Sequence, residues 1–96
     1  MRYEFKASVW QYNPPRGWYF VSLPQAMAAE IRQWYRPHHK AWGRLPIQAK
    51  VASTMWRTAL WFDSQSITYV LPIKTVIRNS LGIETNSQLA ISINLL

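Results

Sequence analysis

The densest group of basic residues runs from the end of a predicted helix into the loop after it. Arg32 and Arg36 are four residues apart, so a helix places both on one face, and Lys40 and Arg44 follow. Aromatic residues are interleaved with these cations: Trp34, Tyr35 and Trp42. Single-stranded nucleic acid binders use cations for phosphates and rings for stacking. The four basic residues are therefore a candidate phosphate- or anion-binding site. In the alternative interpretation, Trp34 packs in the core and the cations form a solvated face.

Two further groups of residues are candidates for binding. Lys74 and Arg78 have the same four-residue spacing on a second predicted helix and form a secondary basic candidate. Trp10 and Trp61 occupy the outward phase of two predicted strands, where they could line an aromatic groove for a peptide or an apolar ligand, with Arg57 beside it. Alternatively, the helices pack against these two tryptophans, or the rings cover the end of a barrel.

The sequence contains no recognisable catalytic or metal-binding pattern. Its four acidic residues are scattered over a strand, a helix and two turns, and no two have the spacing of a paired acid and base: Glu4, Glu30, Asp63 and Glu84. There is no glycine-rich phosphate loop and no nucleophile elbow. His38 and His39 are adjacent and have no cysteine or nearby carboxylate to complete a ligand set. We predict no enzyme activity, no metal and no cofactor.

Composition indicates one small domain, residues 1–96, with a net charge of +7 and no cysteine. The positive charge favours polyanionic partners, although it also keeps an aromatic-rich domain in solution. No apolar run approaches the ~20 residues of a membrane-spanning helix. With no signal peptide recognised, we expect a cytoplasmic protein that does not contact membranes.

Period-two alternation predicts strands in the first half of the chain, around one helix. Tyr3, Phe5, Ala7 and Val9 share one face of the first strand. The turn NPPRG leads to a returning strand, WYFVSL, so the two strands should form a hairpin. The helix should run from Pro24 to Arg36, and its apolar stripe should consist of three residues: Met27, Ile31 and Trp34.

The second half repeats the order of the first. The strand RLPIQAKV completes the first half, and TMWRTALWF and ITYVL follow it. Pro72 should open the second helix at its first turn, and Gly82 should end it as a left-handed cap. The predicted stripe of this helix is Ile73, Val76, Ile77 and Leu81. A final strand carries Leu89, Ile91, Ile93 and Leu95 on one face.

This order is β-β-α-β twice, with pseudo-repeats at approximately residues 2–52 and 53–96. Leu23-Pro24 and Leu71-Pro72 occupy the same strand-to-helix corner in each repeat. The fold class we predict is mainly β with two short helices, in which two pseudo-symmetric ββαβ units form a closed double-split β-barrel. Because each half can pair the strand edges of the other, we expect a monomer.

A family resemblance rests on five stretches that cover nearly the whole chain in order: YEFKASVW, GWYFVSLP, WGRLPIQAKV, WRTALWF and YVLPIKTVIRNSLGI. They resemble the motifs of the bacterial family called domain of unknown function nineteen hundred and five. The resemblance implies a barrel like that of AbrB and MazE, folded here as a single-chain pseudo-dimer. Its departures concern turns, such as Asn86-Ser87 where the AbrB-like pattern has Gly-Asp. The family supplies no catalytic residues.

Symmetric DNA reading of the AbrB kind is not expected, because the charges do not repeat. When the two Leu-Pro corners are aligned, Lys74 falls opposite Ala26 and Arg78 opposite Glu30. The sequence therefore predicts a non-enzymatic binding or interaction module, with weak, sequence-independent nucleic-acid binding through the basic helix and loop. Two alternatives remain open: a protein- or peptide-interaction domain that uses exposed aromatics, and a small-ligand site in an aromatic groove.

Overall fold

A computed structural model describes residues 1–35 and 44–96 of the chain. The described residues form seven strands and two helices, in this order: β1 (Arg2–Ser8), β2 (Trp10–Gln11), β3 (Tyr19–Ser22), α1 (Gln25–Tyr35), β4 (Arg44–Val51), β5 (Thr54–Asp63), β6 (Thr68–Pro72), α2 (Thr75–Leu81) and β7 (Gln88–Leu95). The predicted class, mainly β with two helices, is confirmed. No helix in these two ranges is long and apolar enough to cross a membrane.

All seven strands belong to one curled antiparallel sheet in the order β1-β7-β4-β5-β6-β3-β2. The two strands at its ends, β1 and β2, are neighbours in the chain, and only Val9 lies between them. The Val9 N–H donates to the Ser87 carbonyl at 2.9 Å, and the Val9 carbonyl accepts from the Asn86 N–H at 2.8 Å. The predicted hairpin is therefore only partly correct, because β2 pairs with β3 whereas β1 pairs with β7.

The predicted alternation places the core correctly. The inward positions of β1, β4 and β7 are buried in one cluster that includes Phe5, Ile47 and Ile93. In β5, Leu60 is buried and Trp56 and Phe62 pack against the cluster. Burial of such side chains contributes about 1.5–3 kcal/mol each, so the alternating strands supply most of the stabilising apolar contact.

The two helices bury narrower stripes than predicted. In α1, Ile31 and Ala28 are buried and Met27 packs partly against them, but Trp34 is 64% exposed. Trp34 lies in the last turn, whereas the core contacts are made earlier in the helix. In α2, Ile77 is buried and Val76 is 67% exposed. A helix of seven residues presents little more than one row of side chains to the sheet.

The ends of α2 correct one prediction and confirm another. Pro72 is the last residue of β6 and lies opposite Phe20, so it does not occupy the first helical turn; Lys74 is the N-cap. Gly82 is the predicted left-handed cap, with φ 65°. The N–H of the buried Ile83 donates to the Arg78 carbonyl at 2.9 Å, which is the bond of a Schellman ending.

The Gly82 cap gives a test of the helix ending. Gly82→Val should lower the free energy of unfolding by about 1–3 kcal/mol, because a β-branched residue resists positive φ. A Cβ at this position would have no atom within 4 Å, so the loss would come from the backbone and not from a clash. Gly82→Asn is the control, since Asn tolerates this conformation. Urea unfolding measures both, and equal losses would contradict the assignment.

Candidate functional site

A cleft of about 730 Å³ lies where the loop before β3, the end of β5 and the start of α2 meet. We call it the cationic cleft, because four of its described lining residues are basic: Arg16, Arg44, Lys74 and Arg78. No acidic residue is among the lining residues in the described part of the chain. The described residues that line the cleft therefore carry positive charge that no acidic side chain among them balances.

Aromatic rings form the apolar part of the cationic cleft. Trp18 and Trp61 lie against each other with ring centroids 5.4 Å apart, and Tyr19 lines the same space. The Arg44 guanidinium carbon is 5.0 Å from the Trp61 ring centroid, and that of Arg78 is 3.8 Å from the Tyr19 ring centroid. Both are cation–π distances. Cations and ring faces are thus presented side by side.

The Arg78 side chain is held in place from several directions. Its Nε–H donates to the Ile73 carbonyl at 3.3 Å, and an Nη donates to the Thr75 hydroxyl at 2.9 Å. The Ile73 N–H in turn donates to the Tyr19 carbonyl at 2.8 Å, which ties the start of α2 to β3. A guanidinium has five N–H donors, and the contacts with described residues use two of them, so Arg78 can hold this orientation and still donate to an anion.

The loop that carries Arg16 and Trp18 is shaped by its backbone contacts. The Tyr12 N–H donates to the Trp18 carbonyl at 2.9 Å, which closes the loop. The Gln11 side-chain amide donates to the Pro15 and Gly17 carbonyls at 2.8 and 2.9 Å. A Cβ at Gly17 would lie 1.2 Å from the Tyr12 carbonyl oxygen. Only glycine therefore fits this turn as it stands.

A second hollow, of about 690 Å³, has Trp18 and Trp61 in common with the cationic cleft. We call it the tryptophan groove. Its rings include Trp10 and Phe20, whose centroids are 5.1 Å apart. The Trp10 indole N–H donates to the Ser22 hydroxyl at 3.0 Å. Arg16, Gly17, Trp18 and Trp61 line both hollows, so the two are adjacent at these residues.

The sequence-predicted basic cluster is redistributed in the structure. Arg32 is half-buried, with its guanidinium carbon 3.8 Å from the Phe62 ring centroid, and it lines neither hollow. Arg36 and Lys40 lie outside the described residues, as do His38 and His39. Arg44 instead joins the secondary pair, Lys74 and Arg78, in the cationic cleft. That pair was predicted as a separate site.

The predicted aromatic groove is also rearranged. Trp10 and Trp61 both line the tryptophan groove, but Arg57 lines neither hollow. Residue spacing alone did not identify Arg16, Trp18 and Tyr19 as site residues. The stretch RGWY contains a signal for them, because a cation ends the turn and two rings begin the next strand, but the same residues are also typical of a turn and a strand alone.

Among titratable groups, Tyr69 is buried under Phe62 in an edge-on contact with ring centroids 5.4 Å apart. Burial raises the pKa of the Tyr69 phenol above its usual value, and the positive charge of Arg32 opposes this by a smaller amount. The phenol is therefore neutral at physiological pH. Within residues 1–35 and 44–96, no three histidine, aspartate or glutamate side chains come together as a metal site.

Substitution of Gly17 tests whether the tight turn at this residue fixes the position of Trp18. Gly17→Ala should lower the free energy of unfolding by about 1 kcal/mol or more and change the near-ultraviolet circular dichroism, because the turn must move and displace Trp18. Arg16→Ala is the neighbouring control, and its exposed side chain should change stability by less than about 0.5 kcal/mol. The same small effect in both variants would contradict the role given to Gly17.

The comparisons with known proteins agree with the sequence resemblance. No curated protein matches the chain. The model of one family, described as "Domain of unknown function (DUF1905)", matches residues 5–93 and so covers most of the chain, including the loop of Gly17 and the start of α2. The chain belongs to this family of domains of unknown function.

Proposed function

We propose that this protein is a non-enzymatic module that binds phosphate-bearing ligands of the nucleic-acid type in the cationic cleft. One observation supports this most directly: four cations and three aromatic rings converge on one cleft whose described lining contains no acid. Phosphate groups bind to the cations, and nucleobases stack on the aromatic rings. The site differs from the basic helix and loop suggested by the sequence, because only Arg44 of that cluster lines the cleft.

Binding should be weak and indifferent to base sequence. Arg78 is positioned by Ile73, Thr75 and Tyr19 at the wall of the cleft and is not presented on an open helix face. Its counterpart in the first repeat is the exposed acid Glu30, so Arg78 has no basic equivalent there with which to contact DNA symmetrically. Phosphate contacts of this kind give affinity and position but carry no sequence information.

A second candidate function is the docking of a protein or peptide on the tryptophan groove. Tyr12 and Trp18 are 60% and 59% exposed at this groove, which is unusual for large rings in so small a domain. Apolar docking and phosphate binding differ in their response to salt, because only phosphate binding releases counterions and weakens steeply as salt rises.

The closed double-split barrel of two ββαβ repeats is part of this proposal. Alignment of the two Leu-Pro corners makes Ser22 the counterpart of Val70, and these two residues pair across β3 and β6. A twofold axis requires equivalent residues to meet in this way. The strands at the two ends of the sheet order, β1 and β2, follow each other in the chain with only Val9 between them. This continuity supports closure of the barrel.

This architecture predicts a folded monomer, because both repeats lie in one chain and pair each other's strands. Sedimentation velocity at several protein concentrations should give one monomeric species, and the unfolding midpoint should not depend on concentration. An obligate dimer that unfolds on dilution would contradict the single-chain pseudo-dimer.

The cationic cleft predicts the effect of charge reversal. The variant Arg44→Glu/Lys74→Glu should lower the affinity for short oligothymidylates at low salt about tenfold or more. The slope of log affinity against log salt is negative, and it should become shallower by about 0.7 for each phosphate that the variant no longer neutralises. Both side chains are exposed, so folding should persist. Fluorescence anisotropy at several salt concentrations measures the affinity, and thermal melts check the fold.

Lys6→Glu/Lys50→Glu is the matched control. Both lysines are exposed, line a different surface near β1 and β7, and change the net charge by the same amount. This variant should retain most of the binding. If both variants lost affinity equally, the effect would be one of net charge, and the cationic cleft would not be the site. If wild-type protein bound no oligonucleotide at low salt, the docking function would replace the proposed one.

A further inference from the structure

We infer that the ligand of the cationic cleft is a single strand of several nucleotides, which crosses Trp18 and continues into the tryptophan groove. This inference rests on the function proposed above and specifies its ligand. The phosphates at one end of the bound segment contact the cationic cleft, and the following bases stack on the rings beyond it.

Trp18 is placed to act as the stacking platform between the two hollows. Its ring is 59% exposed, although it lies near two other rings, with centroids 5.4 Å from Trp61 and 6.4 Å from Phe20. The closed loop of Tyr12 and Gln11 fixes its backbone. A ring that is supported by its neighbours and open to solvent can accept a base without rearranging the core.

The charges of the two hollows favour a strand whose phosphates lie in the cationic cleft and whose bases lie in the tryptophan groove. The cationic cleft has four basic lining residues. Among the described residues that line the tryptophan groove, one is basic and one is acidic. The basic residue is Arg16, which also lines the cationic cleft, and the acidic residue is Asp63. The Asp63 carboxylate already accepts hydrogen bonds from the Gln65 N–H at 3.2 Å and the Ser66 hydroxyl at 2.5 Å. The groove therefore offers rings more than phosphate contacts.

Stacking on these rings selects single strands over duplexes. In a duplex the base faces are covered by neighbouring base pairs, so Trp18 could reach them only after unstacking. A single strand exposes its bases, and each ring that stacks one contributes roughly 5- to 150-fold in affinity. Because the cationic cleft and the tryptophan groove are adjacent and share Trp18, a ligand longer than one nucleotide can reach both.

The test is a length series of oligothymidylates, from the mononucleotide to the octamer, together with the octamer paired to oligoadenylate. Binding at low salt is followed by quenching of tryptophan fluorescence and by calorimetry. We expect the tetramer to bind wild-type protein at least about fivefold more tightly than the mononucleotide, and the octamer to bind more tightly than its duplex. Trp18→Ala should remove most of the gain from mononucleotide to tetramer, and Trp18→Phe should restore part of it.

Trp34→Ala is the matched control, because Trp34 is also an exposed tryptophan but lies on α1 and lines neither hollow. It should leave the length dependence unchanged, and thermal melts confirm that each variant is folded. Three results would overturn the inference and leave the proposed function standing: equal affinity for mononucleotide and tetramer, equal affinity for duplex and single strand, or loss of the length dependence in Trp34→Ala but not in Trp18→Ala. Absence of binding to every probe would overturn both.

Discussion

The fold depends on the change of partner that the first extended segment makes at Val9. Before this residue the segment pairs with β7, and after it the segment pairs with β3, at the opposite end of the sheet order. Val9 is fully buried, and both its backbone groups bond to the residues that lead into β7. Open strand edges invite association with other chains. Here the two end strands, β1 and β2, belong to one extended segment. The backbone hydrogen bonds of Val9 hold this segment at its centre.

The same arrangement brings the candidate site together. After β2 the chain enters the loop of residues 12–18, which places Arg16 and Trp18 beside the start of β3. The N–H of Ile73 joins the end of β6 to Tyr19 of β3, so the start of α2 reaches the same corner. The cationic cleft is thus a product of strand pairing. Residues distant in sequence meet because β3 lies next to β6.

The strands could be predicted from the sequence because a half-buried strand shows its buried face at every second residue, as in β4 and β7. The helix stripes were less predictable, because periodicity identifies a face but not where the neighbouring core ends. Trp34 has the right spacing from Ile31 but lies beyond the contacts of α1. The site was the least predictable part. Arg44 and Arg78 meet Trp61 and Tyr19 only through the order of strands in the sheet, which no local spacing encodes.

The grouping of cations at one corner is itself an argument for a ligand. Like charges on neighbouring side chains destabilise the folded state, and no acid among the described lining residues of the cleft offsets them. The cation–π contacts of Arg44 and Arg78 contribute about 0.5–1 kcal/mol each at exposed sites, which relieves this repulsion only in part. An anion in the cleft would remove it. Stabilisation of the folded chain alone would be served better by a salt bridge such as that between Arg2 and Glu4 on β1. The proposed anionic ligand would therefore balance a corner whose charge the stability of the fold does not require.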